Sequence, residues 1–522
     1  MTLTSLDLQP RSVLLDRSAA ARRPLRSWRV PVAAVVALER DATVWQGWRV
    51  RRIAGGAIRL TPGESAILDF GEHVVGAFLC HAESACRLRL EPAEVPAELG
   101  DRWQDHAAVF GDGSRPQRSW SPVDWNHPGG AQTGAGRHAL RYLRVTLLEA
   151  AAPVALTDCA VLATSAVDPQ PVPPPRGLSL RLTAIDRVSQ ITLRNCLQDV
   201  FEDGPKRDQR LWLGDLRLQA LLAYQVCDAT DLVRRCLYLH AACIDAEGMV
   251  PPCVFMQPEP NFSATPIPDY AALFGATLAD YVVATGDRAT GHELLSLAVH
   301  QCDLMARHCD AEGVWRDPGG QWLFIDWCND LDREAAEHAT LAYACGRVAE
   351  LARELGEEAV AARLLKRKGD LLAAADARLY DAECGLYRSG PGGQLSVASQ
   401  VWMVLAGARV GAAAAALLRR VLDDPAALRP GCPYLQHHLV EALLSSGCVR
   451  EARDEIERVW GGMLDRGADT FWEVFDPADA HRSPYRSHLF NSYCHAWSCT
   501  PAWFIRHPQY GPLLAAAEEE TR

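Results

Sequence analysis

The sequence predicts a multidomain α+β protein: an N-terminal antiparallel β-sandwich followed by an (α/α)6 barrel. Three observations carry that expectation. The run Asp168-Pro-Gln-Pro-Val-Pro-Pro-Pro-Arg-Gly177 leaves no room for a helix and reads as a stiff connector. Before it, short apolar stretches alternate with period two. After it, apolar residues recur with a helical period.

Residues 1–30 carry several arginines with Asp7 and Asp16 interspersed, and lack the compact apolar run of an export signal. They are expected to form a loosely ordered arm that can pack on the rest. Residues 31–167 form the sandwich, with strands expected at 66–70, 76–80, 86–90, 140–147 and 153–163. A long polar insertion, 101–134, carries Trp103, Trp120 and Trp125. Loops of that length are usually functional or mobile.

The connector, 168–177, leads into the helical half, 178–510, and a tail, 511–522. Amphipathic helices are expected at 178–200, 216–229, 270–284, 291–309, 334–355, 359–381, 396–407, 412–423, 433–446, 448–463 and 493–504. That many helices, joined by loops rich in Trp, Asp and His, suit a closed ring of hairpins. A tetratricopeptide-like stack would repeat every ~34 residues, and no such self-similarity occurs.

At 522 residues the chain is too long for one compact core. Its 48% hydrophobic and 23% charged residues are those of an ordinary globular protein. The net charge of −12, without a basic tract, argues against nucleic acid as a partner. No segment approaches ~20 uninterrupted apolar residues, so no membrane span is expected. The reading places the chain in the cytoplasm, with its 17 cysteines reduced and buried. No cysteine pair has CxxC spacing and no glycine loop suits a phosphate, so neither a metal nor a cofactor is expected. A homodimer is left open.

The chemistry concentrates in Asp203-Gly-Pro-Lys-Arg-Asp-Gln-Arg-Leu-Trp-Leu-Gly-Asp215. A helix starting near Pro205 would put Asp208, Trp212 and Asp215 on one face, like the wall of a sugar site. Acids also favour the first turn of any helix, and Lys206, Arg207 and Arg210 would then only pair with them. Later loops again couple acid or histidine with rings: Pro266-Ile-Pro-Asp-Tyr270, Trp322-Leu-Phe-Ile-Asp-Trp327, Thr470-Phe-Trp-Glu-Val-Phe-Asp476 and Asn491-Ser-Tyr-Cys-His-Ala-Trp-Ser498. Trp322, Trp327 and His495 also suit a core. Glu473, set among Phe471, Trp472 and Phe475, is expected either to hold its proton in a desolvated site or to face solvent.

These motifs, in this order over about residues 177–505, resemble the α-L-rhamnosidases of glycoside hydrolase family 78. The 203–215 stretch looks like that family's Asp-x-x-x-Arg-acid and Trp-x-Gly-Asp signature. Residues 470–473 look like its second acidic motif, and His495-Ala-Trp-Ser498 like its late histidine segment. Leu68-Asp-Phe-Gly71 and Arg141-Tyr-Leu-Arg-Val145 look like pieces of its small sandwich.

The resemblance implies an inverting hydrolase that releases terminal α-L-rhamnose from a rhamnoside or rhamnose-containing oligosaccharide, without a cofactor. It puts the general acid at Asp208 and the general base at Glu473. Asp203, Arg207, Trp212 and Asp215 would bind sugar hydroxyls and support the acid, with Trp327 and His495 on further subsites. Many members carry Arg-Asp-Glu-Arg where this chain has Arg207-Asp-Gln-Arg210. Counting back from Asp215 places the acid on Asp208. Counting forward from Asp203 in the longer variant of the motif places it on Gln209. A glycosidase for another deoxy sugar or a uronic acid, and a non-catalytic carbohydrate-binding relative, are the alternatives.

Overall fold

A computed structural model of the chain describes residues 6–53, 58–102, 106, 121–134, 136–262 and 265–519. Its N-terminal half is one curled antiparallel sheet of ten strands. The spine is the strand Ser65–Ala82, which absorbs both of the strands expected at 66–70 and 76–80. Its pairing with the strand His138–Glu149 slips between Asp69 and Val74. Gly71 bends the backbone there at a φ of 80°. Such a slip lets one strand pass from one layer of a sandwich to the other. Leu68, Phe78, Leu88, Leu143, Val145 and Val161 from these strands meet in a fully buried core. Half of the expected insertion at 101–134, residues 103–105 and 107–120, lies outside the described residues. Strands Val123–His127 and Gly130–Thr133 occupy part of the remainder.

The C-terminal half is a closed ring. Helices Leu213–Val226, Pro268–Thr285, Glu334–Glu354, Val397–Leu405 and Pro433–Ser445 pack each on the next. The 3-10 turn Ala496–Cys499 closes the circle back onto Leu213–Val226. Outside them lie Leu180–Cys196, Thr230–Ala242, Arg288–Ala306, Glu358–Arg378, Gly411–Asp423 and Val449–Ile456.

The two rings differ in sequence for a physical reason. Inner helices are covered all round, and every residue from Pro268 to Ala279 is buried. Outer helices need only one apolar stripe, and Glu358–Arg378 buries just Ala361, Leu364, Leu371 and Ala375. Among the described residues, no helix is long and apolar enough to cross a membrane.

Three helical expectations are corrected. Thr230–Ala242 was not anticipated, because Arg235 interrupts its apolar pattern. That arginine is buried, donating to Ser18, to the Asp199 carbonyl and to the Asp199 carboxylate. Ser18 lies on Arg11–Ala20, a helix within the arm expected to be loose, which packs on Thr230–Ala242. The helix expected at 493–504 is instead the turn Ala496–Cys499 followed by Pro501–Arg506. The backbone before it is extended: His495 N donates to Phe471 O, and Ala496 N to Asp203 O. Those bonds tie it to the neighbouring loops rather than to its own preceding turn.

Candidate active site

The cavity sits at the N-terminal ends of the inner helices. Asp203, Arg207, Asp208, Trp212, Asp215, Trp327, Glu473 and His495, the eight residues singled out in the sequence, all line it. It measures about 230 Å³, and Ile267, Tyr270, Trp322, Phe324, Tyr485 and Trp497 complete its wall.

Asp208, Trp212 and Asp215 converge there, but not on one helix. The chain turns through 205–208, Leu211–Trp212 is extended and paired with Cys253–Phe255, and the helix begins only at Leu213. The expected helix from Pro205 fails because Asp203 clasps the loop. Its N–H donates to Arg210 O, and its Oδ1 accepts from Arg210 N at 3.1 Å. Asp208 and Gln209 then take left-handed φ values of 46° and 57°. Acidic and amide side chains enter that region more readily than others, and each such residue costs about 1–3 kcal/mol. Gly204 is required by close approach, since a Cβ there would meet Ser492 Oγ at 2.4 Å.

The three cations of this stretch do not simply pair with its own acids. Lys206, only 1% exposed, reaches Glu98 at 2.5 Å and Glu94 at 3.3 Å on the sandwich, and donates to the Asn491 carbonyl. Arg207 donates Nε to Phe490 O at 2.9 Å. Its Nη2 donates to both Glu473 oxygens, at 2.8 and 2.7 Å. Its Nη1 lies 3.5 Å from Asp208 Oδ1. Arg210 is 3.6 Å from Asp208 Oδ2 and covers the Phe255 ring.

Glu473 is 1% exposed, so it does not face solvent, yet the expectation that it holds its proton is overturned. Burial alone would raise its pKa. The Arg207 charge outweighs that, and with His495, the Tyr485 hydroxyl and the Ser492 N–H it brings the pKa down to about 2. The carboxylate is therefore ionised at neutral pH.

Across the cavity the balance runs the other way. Burial pushes Asp203 well above the usual carboxylate range, and the Asp208 and Asp215 charges add to the shift. Burial also raises Asp215, against the opposing pull of His495, whose Nε2 is 3.1 Å from Asp215 Oδ1.

The aromatic wall is built by a strained turn. Ile325, a β-branched residue, sits at φ 49°. Buried Asp269 accepts from the N–H groups of Phe324 and Ile325, at 3.3 and 3.2 Å. That turn presents Trp322, Phe324 and Trp327 to the cavity; the Trp322 and Trp327 centroids lie 5.6 Å apart.

Tyr485 was missed in the sequence, where it stands in a polar stretch without the acid–aromatic pairing of the other loops. Its hydroxyl donates to Glu473 Oε1 at 2.5 Å and accepts from Arg207 Nη2 at 2.9 Å.

Residues 180–507 match the model of the bacterial α-L-rhamnosidase six-hairpin glycosidase domain. Residues 32–161 match that of the glycosyl hydrolase family 78 α-rhamnosidase N-terminal domain. Among solved structures, a rhamnosidase from Klebsiella oxytoca with rhamnose bound is 37% identical, with a TM-score of 0.90 over 96% of this chain and 99% of that one. A Streptomyces avermitilis α-L-rhamnosidase complexed with L-rhamnose shares the fold, at 17% identity and a TM-score of 0.69, covering 93% of this chain and 44% of that one. No curated protein matches by sequence.

Proposed function

The chain belongs to the α-L-rhamnosidases of glycoside hydrolase family 78, and from that premise we propose that it releases terminal α-L-rhamnose with inversion, Asp208 acting as general acid and Glu473 as general base. The supporting observation is one guanidinium, that of Arg207, set between two carboxylates in a single aromatic-walled cavity.

The two acids are far apart in sequence but close in space. Asp208 Oδ1 and Glu473 Oε2 lie 3.5 and 2.7 Å from the two Nη atoms of Arg207. Since those atoms are about 2.3 Å apart in the planar guanidinium, the oxygens are separated by at most about 8.5 Å. That bound admits the about 6.5–9.5 Å of inverting glycosidases as well as the about 5–5.5 Å of retaining ones, so the released anomer is the deciding measurement. In the proposed reaction, Asp208 gives its proton to the glycosidic oxygen as that bond breaks. Water attacks the anomeric carbon from the opposite face and passes a proton to Glu473. Arg207 and Tyr485 keep Glu473 ionised, the state in which it can take that proton.

The wall favours a neutral deoxy sugar over a uronate. A uronate needs a free cation near C5, whereas rhamnose offers a methyl group there. Among the described residues lining the cavity, Arg207 is the one lysine or arginine, and it is engaged with Glu473. Ile267, Phe324, Trp322 and Trp497 supply apolar surface.

The test is to follow hydrolysis of an aryl α-L-rhamnoside by proton NMR alongside other aryl glycosides. β-L-rhamnose should appear first, and the other glycosides should be poor substrates. Initial α-anomer would refute inversion. Binding of rhamnose without any turnover would favour a non-catalytic carbohydrate-binding protein.

A further inference from the structure

Away from the catalytic cavity, Asp101, His106 and His488 each offer a ligand atom within 4.8 Å of the others. Asp101 and His106 come from the sandwich half. His488 comes from the barrel loop that also carries Tyr485.

The group is oriented from outside. Asp101 Oδ1 accepts from Trp48 Nε1 and Arg40 Nη2, both at 2.8 Å, which turns Oδ2 toward His488 Nε2 at 2.9 Å. Ser487 Oγ lies 2.9 Å from His106 Nδ1. The His481 ring stands edge-on to His488 at 4.6 Å. Carboxylate and imidazole ligands in metal sites are held by outer hydrogen bonds of this kind.

Two imidazoles and one carboxylate, drawn from both halves of the chain, form a mixed N/O donor set. That set suits zinc and neighbouring divalent transition metals, and it leaves further positions for water. The absence of CxxC spacing does not bear on it, because no thiolate takes part.

We propose that Asp101, His106 and His488 form a binding site for a divalent transition metal of the zinc class, which clamps the sandwich to the loop at 483–491. That loop supplies the Tyr485 hydroxyl to Glu473 and the Phe490 and Asn491 carbonyls to Arg207 and Lys206. A bound ion would stiffen the surroundings of Glu473 without touching substrate. Arg40 beside the outer carboxylate oxygen offsets part of the attraction, so the affinity should be moderate.

The test is to titrate the chelator-treated full chain with cobalt(II), then displace the cobalt with zinc(II). One equivalent of cobalt should bind with weak visible bands of N/O coordination, and metal should raise the melting temperature. His488→Gln and Asp101→Asn should each weaken binding by about 10-fold or more. The proposal is overturned by no uptake, by uptake equal in both variants and the parent, or by intense sulfur-to-cobalt bands, which would place the ion on cysteines.

Discussion

Arg207 Nη2 lies 2.8 and 2.7 Å from the two oxygens of Glu473, and the Nη1 of the same guanidinium lies 3.5 Å from Asp208. A single buried cation thus faces both proposed catalytic groups. It hydrogen-bonds the proposed base through both carboxylate oxygens and stands farther from the proposed acid.

Asp208→Asn and Glu473→Gln should each lower kcat by about 10²–10⁴-fold, the usual share of proton transfer. Leaving-group dependence separates the roles. Loss of the acid matters less when the aglycone is a nitrophenol that departs unaided, whereas loss of the base hurts all substrates alike. Initial rates on nitrophenyl and alkyl α-L-rhamnosides give both numbers. An Asp208→Asn enzyme unimpaired on the alkyl glycoside would move the acid elsewhere. Glu473→Gln should also cost stability, since it removes the counter-charge of buried Arg207.

Tyr485→Phe tests how Glu473 is kept ionised. The hydroxyl donates to the charged carboxylate and therefore lowers its pKa. Removing it raises that pKa from about 2 toward the ordinary value. A base must be deprotonated to act, so activity is lost as pH falls through its pKa, and the acid limb of kcat/KM should move to higher pH in the variant. A lower kcat with an unmoved limb would assign the hydroxyl to packing alone.

Lys206→Met should destabilise the protein by about 3–5 kcal/mol, because it leaves Glu98 buried without its cation and Glu94 with His73 alone, 3.0 Å away. The added substitutions Glu94→Gln and Glu98→Gln should recover part of the loss. Urea denaturation of the single and triple variants measures both. A loss below about 1 kcal/mol, the scale of a surface ion pair, would show that the site is effectively solvated.

Much of this architecture was legible in the chain because its signals are local. The change of period at the proline run separates sandwich from barrel, and the one-stripe pattern of Glu358–Arg378 marks an outer helix. The acid–aromatic loops identified eight cavity residues. What stayed hidden depends on pairings that no local pattern signals. Asp208 was placed on a helix because nothing local shows that Asp203 will clasp Arg210. Glu473 was expected to be protonated or solvated because the charge that settles the matter, Arg207, lies 266 residues away. Tyr485 had no motif, and its role arises only where its loop meets Glu473.

Trp327 offers the cleanest separation of binding from chemistry. It lines the cavity, its ring stands 5.5 Å from Tyr485, and its indole nitrogen has no hydrogen-bond partner among the described residues. A ring that stacks on a sugar, or donates to one of its hydroxyls, acts on bound substrate and transition state alike, so its loss raises KM and spares kcat. Trp327→Ala should raise KM by about 10-fold, the equivalent of ~1.4 kcal/mol. Trp327→Phe keeps a face and should recover part of that. If Trp327→Ala instead lowers kcat with KM unchanged, the ring is holding Tyr485, and through it Glu473, rather than the sugar.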